Sequence, residues 1–434
     1  MMSHFDVRAA DERFVWHPYT QHGLNQAPIP IARAEGAYLY DENGRRIFDA
    51  VSSWWVTLHG HAHQRITAAI AEQAATLEQV IFAGFTHEPA ARLAAELIQR
   101  APGGLQRVFY SDDGSTAIEV AVKMALQYHR NRGEERRLVA ALENAYHGDT
   151  FGAMSVSARG LFTEPFTPLL FDVARLPDPV GGDVVGALEQ LIAARGRELA
   201  AVIVEPMLLG AGGMRMWPAD ALRGLREVTA AHGIPLIADE VLTGFGRTGP
   251  LFACEHAGVS PDLMCLSKGL TGGYLPLSAV LATETLYQAF YDEYTRLNAF
   301  LHSHSYTGNP LACAAALASL RIFDEDDVLR RNLPLAGHLG ERARTLDELE
   351  HVAEVRQCGM IVAAEMIRDK DSRTPYDWRE RRGLRVYRHA LEQGVLLRPI
   401  GNVIYFMPPY VVTPGDIDRM VEVALSSIEA ATCD

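Results

Sequence analysis

The sequence predicts an α/β protein built on a mostly parallel central sheet. Two observations carry that prediction. Short apolar runs recur through the middle of the chain at Arg107–Tyr110, Leu138–Leu142, Ala201–Val204, Pro235–Ala238 and Asp262–Leu266, with amphipathic stretches between most of them. Residue types that carry chemistry follow several of these runs directly, where such a sheet opens its ligand crevice at the carboxyl ends of its strands.

The flanks read differently. The first 60 residues are aromatic-rich and irregular, with a hairpin expected where Ala37–Tyr40 and Arg46–Phe48 flank Asp41-Glu-Asn-Gly44, because Asn-Gly favours a tight turn. From about Arg321 the pattern becomes helix, then short strands (Ile361–Glu365, Val395–Leu397, Val403–Tyr405), then a closing helix. The expected division is a large domain over 61–325 and a smaller α+β domain made from both termini, residues 1–60 and 326–434.

Composition narrows the class. In 434 residues, 48% hydrophobic, 40 Lys and Arg stand against 54 Asp and Glu, a formal charge of −14. That is ordinary globular composition, which excludes disorder, collagen and coiled coil. Without a basic block, nucleic acid is not an expected partner. Nor is a membrane: the N-terminus has no apolar h-region, and the longest uncharged stretch, Leu297 to Leu320, is broken by His-Ser-His-Ser-Tyr-Thr-Gly-Asn. Five scattered cysteines with no C-x-x-C pair read as reduced thiols, and the expected location is the cytoplasm.

Three strand-end features carry the chemistry. Ser111-Asp-Asp-Gly-Ser-Thr116 follows the first run and opens a helix, so Gly114 lets the backbone approach a ligand and the first-turn N–H groups at Ser115 and Thr116 make an anion site. Asp239 follows Pro235–Ala238, and a carboxylate there is costly to bury without a partner. Lys268, beside glycines at the end of another run, is placed to be desolvated and to act as an amine nucleophile. Together they match pyridoxal phosphate, which needs a phosphate cradle, a Schiff-base lysine and an acid for its pyridine nitrogen. Tyr146, in Asn144-Ala-Tyr-His-Gly-Asp149, is the candidate stacking ring. The histidine groups His59, His61, His63 and His302, His304 lack a carboxylate or cysteine at metal-site spacing, so no metal is expected.

These words, with Val204-Glu-Pro, Ala238-Asp-Glu-Val-Leu-Thr-Gly-Phe-Gly-Arg247, Ser267-Lys-Gly and Thr307-Gly-Asn-Pro-Leu311, resemble the class III, fold-type I pyridoxal-phosphate aminotransferases over about nine-tenths of the chain. The resemblance implies a homodimer with its active site at the interface. It implies that Lys268 is the Schiff-base lysine and proton carrier, that Asp239 holds the pyridinium and that Tyr146 stacks on the ring. Gly114 and Ser115 would bind phosphate, His147 and Glu205 would support the cofactor region, and Ser305 would reach the phosphate from the partner subunit.

Trp16-His-Pro-Tyr-Thr-Gln21, Ser53-Trp-Trp-Val56 and Leu397-Arg-Pro-Ile-Gly-Asn-Val-Ile-Tyr-Phe-Met-Pro-Pro-Tyr410 resemble the biotin-synthesis branch of that family, which aminates 8-amino-7-oxononanoate. In that branch Arg398 would pair with the substrate carboxylate, a role suited to a bidentate guanidinium. Tyr19, Trp54, Trp55 and Tyr405 would form the pocket, with Asp149 and Arg247 as further substrate contacts. Adjacent tryptophans in an extended segment face opposite ways, so one is expected inward and the other toward substrate. His302-Ser-His-Ser-Tyr-Thr-Gly-Asn309 departs from the wording of many members that use S-adenosylmethionine, so the donor stays open between S-adenosylmethionine, lysine and another amine. The main rival reading is a broad ω-amine:pyruvate transaminase. A decarboxylase or aminomutase on the same scaffold, and a cofactor-sensing DNA-binding regulator, are more distant rivals.

Overall fold

A computed structural model describes residues 5–24 and 27–433. The expectation about a leader rests partly on residues 1–4, outside the described ones. Its centre is a seven-stranded sheet made of β1 (Leu105–Ser111), β2 (Leu138–Leu142), β3 (Val173–Leu176), β4 (Leu199–Val204), β5 (Leu236–Asp239), β6 (Leu263–Leu266) and β7 (Ser278–Thr283). The order is β1-β7-β6-β5-β4-β2-β3. Strand β7 runs antiparallel to both neighbours, and the pairs from β6 through β3 are parallel.

The sheet is covered on both faces, and its strand residues divide between them with the period of two that a pleated strand imposes. Val139, Ala141, Ala201, Ile203, Ile237 and Cys265 pack with the helix α1 (Gly114–Asn131) through Ile118, Ala121 and Ala125. Leu138, Ala140, Val202, Val204, Ala238 and Leu266 face the other cluster, which contains Ala312, Ala315 and Leu320 of α2 (Pro310–Glu325) and Leu93 and Leu97 of the helix Glu88–Arg100. This two-sided burial explains why β2 and β4 read as unbroken apolar runs. Each buried Leu, Ile or Val contributes about 1.5–3 kcal/mol relative to leaving it in water.

Two strands of this sheet are absent from the sequence reading. Strand β3 lies at the edge, so only one side is paired, and Arg175 interrupts its apolar pattern. That guanidinium donates to the carbonyls of Ser155, Val156 and Ser157 and so ties the edge to the loop beneath it. Strand β7 is short, with only Ala279–Ala282 apolar between Ser278 and Thr283, and it follows closely on the turn residues Gly272, Gly273 and Pro276.

The terminal segments build smaller sheets. The expected hairpin forms between Tyr38–Asp41 and Arg46–Asp49, with Gly44 at φ +80° in its turn. Val395–Leu396 then pairs in parallel with Arg46–Asp49, which joins the two ends of the chain in one sheet. A second sheet pairs Val352–Cys358, which the sequence reading missed, with Ile361–Met366 and Val403–Phe406. The closing helix Pro414–Thr432 begins with a Thr413–Asp416 capping box, and Tyr38 bonds the same Asp416.

The turn between the first two strands of that second sheet docks onto the loop Arg247–Gly249. Gly359 has φ +57°, and a Cβ there would lie 2.6 Å from the carbonyl oxygen of Arg247 and 2.6 Å from the nitrogen of Gly249. Gly359→Ala therefore should destabilise the fold by about 3 kcal/mol, seen as a fall of a few degrees in the thermal-unfolding midpoint. An unchanged midpoint would show that the turn can lift away freely.

Candidate active site

The carboxyl ends of β1, β2, β4, β5 and β6 deliver the polar groups of one site. After β1, Asp113 caps α1 by accepting from the Thr116 N–H, and the Thr116 hydroxyl returns a bond to the backbone N–H of Asp113. Gly114 and Ser115 stand in the first helical turn, where N–H groups have no acceptor inside the helix. A Cβ on Gly114 would come within 2.7 Å of Val241, and one on Gly148 would collide with the Ser115 hydroxyl. Glycine is therefore required at both places for the two loops to meet over the helix start.

The loop after β2 is pinned from beneath. Glu205, at the end of β4, accepts from the N–H of Tyr146 at 2.8 Å and of Gly210 at 2.9 Å. His147 donates its own N–H to Ser157 at 2.8 Å, and its Nδ1–H to Asp239 Oδ2 at 2.7 Å. Asp239 is the last residue of β5, buried, with Oδ1 accepting from Val241 N–H at 3.1 Å. Lys268 follows β6 with φ +44°, and its Nζ lies 4.7 Å from the Trp55 ring centroid.

The electrostatics follow from burial. Desolvation pushes the Lys268 ammonium below its ordinary pKa; the negative charges of Asp239 and Glu205 oppose that shift and Arg247 adds to it. Desolvation also raises the Glu205 carboxyl to about 7, with His147 holding it down and Asp239 pushing it up. An amine in this setting is nearer its neutral form than a lysine in water. The other two lysines of the sequence are engaged elsewhere: Lys123 with His302 at 2.8 Å, and Lys370 with the Asp347 carbonyl at 2.9 Å.

A cavity of about 1360 Å³ opens over these groups. Tyr146, His147, Gly114, Ser115, Asp239 and Lys268 line its floor. Its walls are aromatic: Tyr19 meets Trp54 edge-on at 5.7 Å, and Trp55 Nε1–H donates to the Tyr405 hydroxyl at 2.9 Å. Asp149 accepts from the Tyr19 hydroxyl at 2.6 Å, and desolvation, reinforced by that bond, pushes the Tyr19 hydroxyl up to about 12. Arg398 also lines the cavity, its guanidinium 5.6 Å from the Trp54 ring. Among the described residues no carboxylate pairs with it.

Two expectations need correction. Trp54 and Trp55 both line the cavity, because the segment is a left-handed turn and not extended. Arg247 does not line it; the guanidinium is buried and donates to the carbonyls of Pro408 at 2.9 Å and Trp55 at 3.2 Å, so it braces the wall from behind. Ser305, expected to act from the partner subunit, is exposed and lies outside its own chain's cavity, and its carbonyl accepts from Gln79. The sequence reading also missed Arg159 and Phe162, which line the cavity, Phe162 meeting Tyr19 edge-on at 6.0 Å. Neither follows a strand, so the strand-end signal could not find them. His59 and His61 are bonded to Ser319 and Asp49, and no group of three metal-ligating side chains occurs among the described residues.

The class-III aminotransferase family model matches residues 19–428. The chain belongs to that family. It is 44% identical over 443 residues to the adenosylmethionine-8-amino-7-oxononanoate aminotransferase of Geobacter sulfurreducens, covering 98% of each. It is 49% identical to the enzyme of that name from Synechococcus elongatus, over 93% of this chain and 95% of the relative. The solved structure of the Methanocaldococcus jannaschii enzyme superposes with a TM-score of 0.95 at 39% identity, covering 97% and 98%. An omega transaminase from Pseudomonas jessenii in complex with PMP superposes at 0.93 and 30% identity, covering 99% and 98%.

The protein is thus an aminotransferase whose cofactor is pyridoxal phosphate. The residues fit that group. The first turn of α1 offers N–H donors cleared by Gly114, although the expected Thr116 N–H is held by Asp113; Tyr146 lines the same cavity, and Lys268 and Asp239 supply the amine and the acid. The buried His147 Nε2 has no hydrogen-bond partner among the described residues, and His147 lines the same cavity.

Glu205 gives a pH signature. Its folded-state pKa lies above the ordinary 4.5, so the proton it binds favours the folded state; that stability is present below about pH 4.5 and is lost as pH rises through about 7. In cofactor-free protein, the stability of Glu205→Gln relative to wild type should improve by up to about 3 kcal/mol between pH 5 and pH 8. Parallel stability curves for the two proteins would contradict the buried-acid assignment.

Proposed function

We propose that this aminotransferase converts 8-amino-7-oxononanoate to 7,8-diaminononanoate in biotin synthesis, with S-adenosylmethionine or lysine as amino donor. The observation that carries the reading is Arg398, a guanidinium without an acid partner among the described residues, in an aromatic-walled cavity that also holds the Lys268 amine. An apolar chain with an amino-ketone at one end and a carboxylate at the other suits such a cavity: rings meet the methylenes and arginine takes the carboxylate. The names of the relatives at 34–49% identity support the same substrate.

Pyridoxal phosphate, when bound, supplies the electron sink that lets an amino group leave one carbon and join another. The chain's own residues do the rest. Lys268 would hold the cofactor through Nζ and, as a free amine, would carry a proton to and from the reacting carbon. Asp239, its carboxylate fixed by His147, keeps a proton on the ring nitrogen. Tyr146 and the first turn of α1 orient the ring and phosphate. Arg398 would hold the substrate's acid away from the chemistry, and Tyr19, bonded to Asp149, lines the same cavity.

The same proposal makes the protein a cytoplasmic homodimer in which the partner's Ser305 reaches the phosphate. The exposure of Ser305 in its own chain supports this, and no described helix is long and apolar enough to cross a membrane. The division at 60 and 325 belongs to it as well, supported by the pairing of Val395 with Phe48. The second reading is a broad ω-amine or ω-amino acid:pyruvate transaminase, favoured by the structural likeness to omega transaminases.

Mixing the pyridoxal form with 7,8-diaminononanoate alone separates these. Rapid conversion of cofactor absorbance to the pyridoxamine form, with 8-amino-7-oxononanoate detected by mass spectrometry, is expected. Conversion only by simple amines such as 1-phenylethylamine would establish the second reading. Lys268→Ala should abolish turnover. Arg398→Ala should lower kcat/KM for the carboxylate substrate by about 10- to 100-fold, the worth of a charged hydrogen bond, while sparing amines without a carboxylate. Equal losses on both substrates would remove the carboxylate role.

A further inference from the structure

Residues Ser52, Ser53, Trp54 and Trp55 have φ of +50°, +45°, +72° and +76°, four consecutive non-glycine residues in the left-handed region. The bonds from Trp55 N–H to the Val51 carbonyl at 2.9 Å and from Val56 N–H to the Ser52 carbonyl at 3.0 Å close a single left-handed helical turn. L-residues visit this region singly and at a cost, because Cβ crowds the following carbonyl. Such a turn persists only when its surroundings over-determine it.

The surroundings do so. Asp49, fully buried, accepts from the Ser53 hydroxyl at 2.7 Å and the Val51 N–H at 3.3 Å, and bonds His61 at 3.0 Å. The Ser52 hydroxyl donates to the Met407 carbonyl at 2.7 Å, and Arg247 donates to the Trp55 carbonyl. The turn has a consequence for the cavity. An extended segment would send neighbouring side chains to opposite sides. Here both rings enter the cavity, Trp55 beside the Lys268 amine and Trp54 beside the Arg398 guanidinium.

We propose that this strained left-handed turn is the element that sets the spacing between the reacting end and the carboxylate end of the substrate, with Ser53 and its anchor Asp49 as positioning residues. The inference rests on the substrate reading above. Neither residue lines the cavity, so each acts through the two tryptophans.

Two substitutions isolate the strain. Ser53→Ala and Ser53→Gly lose the same hydroxyl bond to Asp49, but only glycine accepts positive φ without cost. With the holoenzyme and 7,8-diaminononanoate, Ser53→Ala should weaken the apparent Kd about five- to tenfold, while the rate at saturation stays within about twofold; this is the worth of the one hydrogen bond that holds the turn against its strain. Ser53→Gly should bind close to wild type and unfold at a higher temperature than Ser53→Ala. Identical binding by the two variants would overturn the proposal. A matching fall in saturating rate and cofactor retention would also overturn it, in favour of a general structural role. If wild type ignores the diamine while reacting with other amines, the substrate reading fails and the spacing role with it, whereas the gap in unfolding temperature still reports the strain.

Discussion

A lysine amine taken out of water is the constraint on which the rest of this structure depends. Burying an ammonium is expensive unless opposite charge and hydrogen bonds offset it, and buried carboxylates need partners in turn. The sheet order supplies them. Strands β6, β5 and β4 are neighbours, so Lys268, Asp239 and Glu205 come together although they are far apart in sequence. Adjacent strands lie about 4.8 Å apart, which sets the scale on which these charges meet. Asp239 is satisfied by His147, and Glu205 by the backbone of Tyr146 and Gly210. The loop over the site is thus fixed by the same carboxylates that balance the lysine.

The walls of the cavity obey a second constraint, because they must be apolar along their length and polar at their ends. Tyrosine and tryptophan meet both needs, and their polar atoms are paired: Tyr19 with Asp149, Trp55 with Tyr405. Placing adjacent tryptophans on one side requires a backbone that L-residues avoid. The molecule meets that cost with a fully buried carboxylate and a buried guanidinium behind the wall. Arg247, which lies close to the cofactor words in the sequence, belongs to this support and not to the substrate surface.

Much of this was legible in the sequence. A carboxylate or lysine at the end of an apolar run is an anomaly that only a site or an exposed loop resolves, and Asp239 and Lys268 stand in such places; Gly114 marks the helix start that follows another run. What was not legible has physical causes. Strand β3 is a half-buried edge broken by Arg175, and the four apolar residues Ala279–Ala282 of β7 follow closely on Gly272, Gly273 and Pro276, whose turn signals mask so short a run. Ser-Ser-Trp-Trp contains no glycine, the usual marker of positive φ; the bonds that enforce its turn come from Asp49, Met407 and Arg247. Phe162 and Arg159 reach the cavity from an irregular segment that follows no strand, held by local bonds around Gly160 and Thr163 that leave no periodic signal.

The sequence contains three lysines, at 123, 268 and 370, so one chemical measurement tests the central claim. Borohydride reduction of the holoenzyme fixes the cofactor to the lysine that holds it, and peptide mapping by mass spectrometry locates the label. The account requires a single reduced pyridoxyl group on Lys268. A label on Lys123 or Lys370, with Lys268 unmodified, would contradict it.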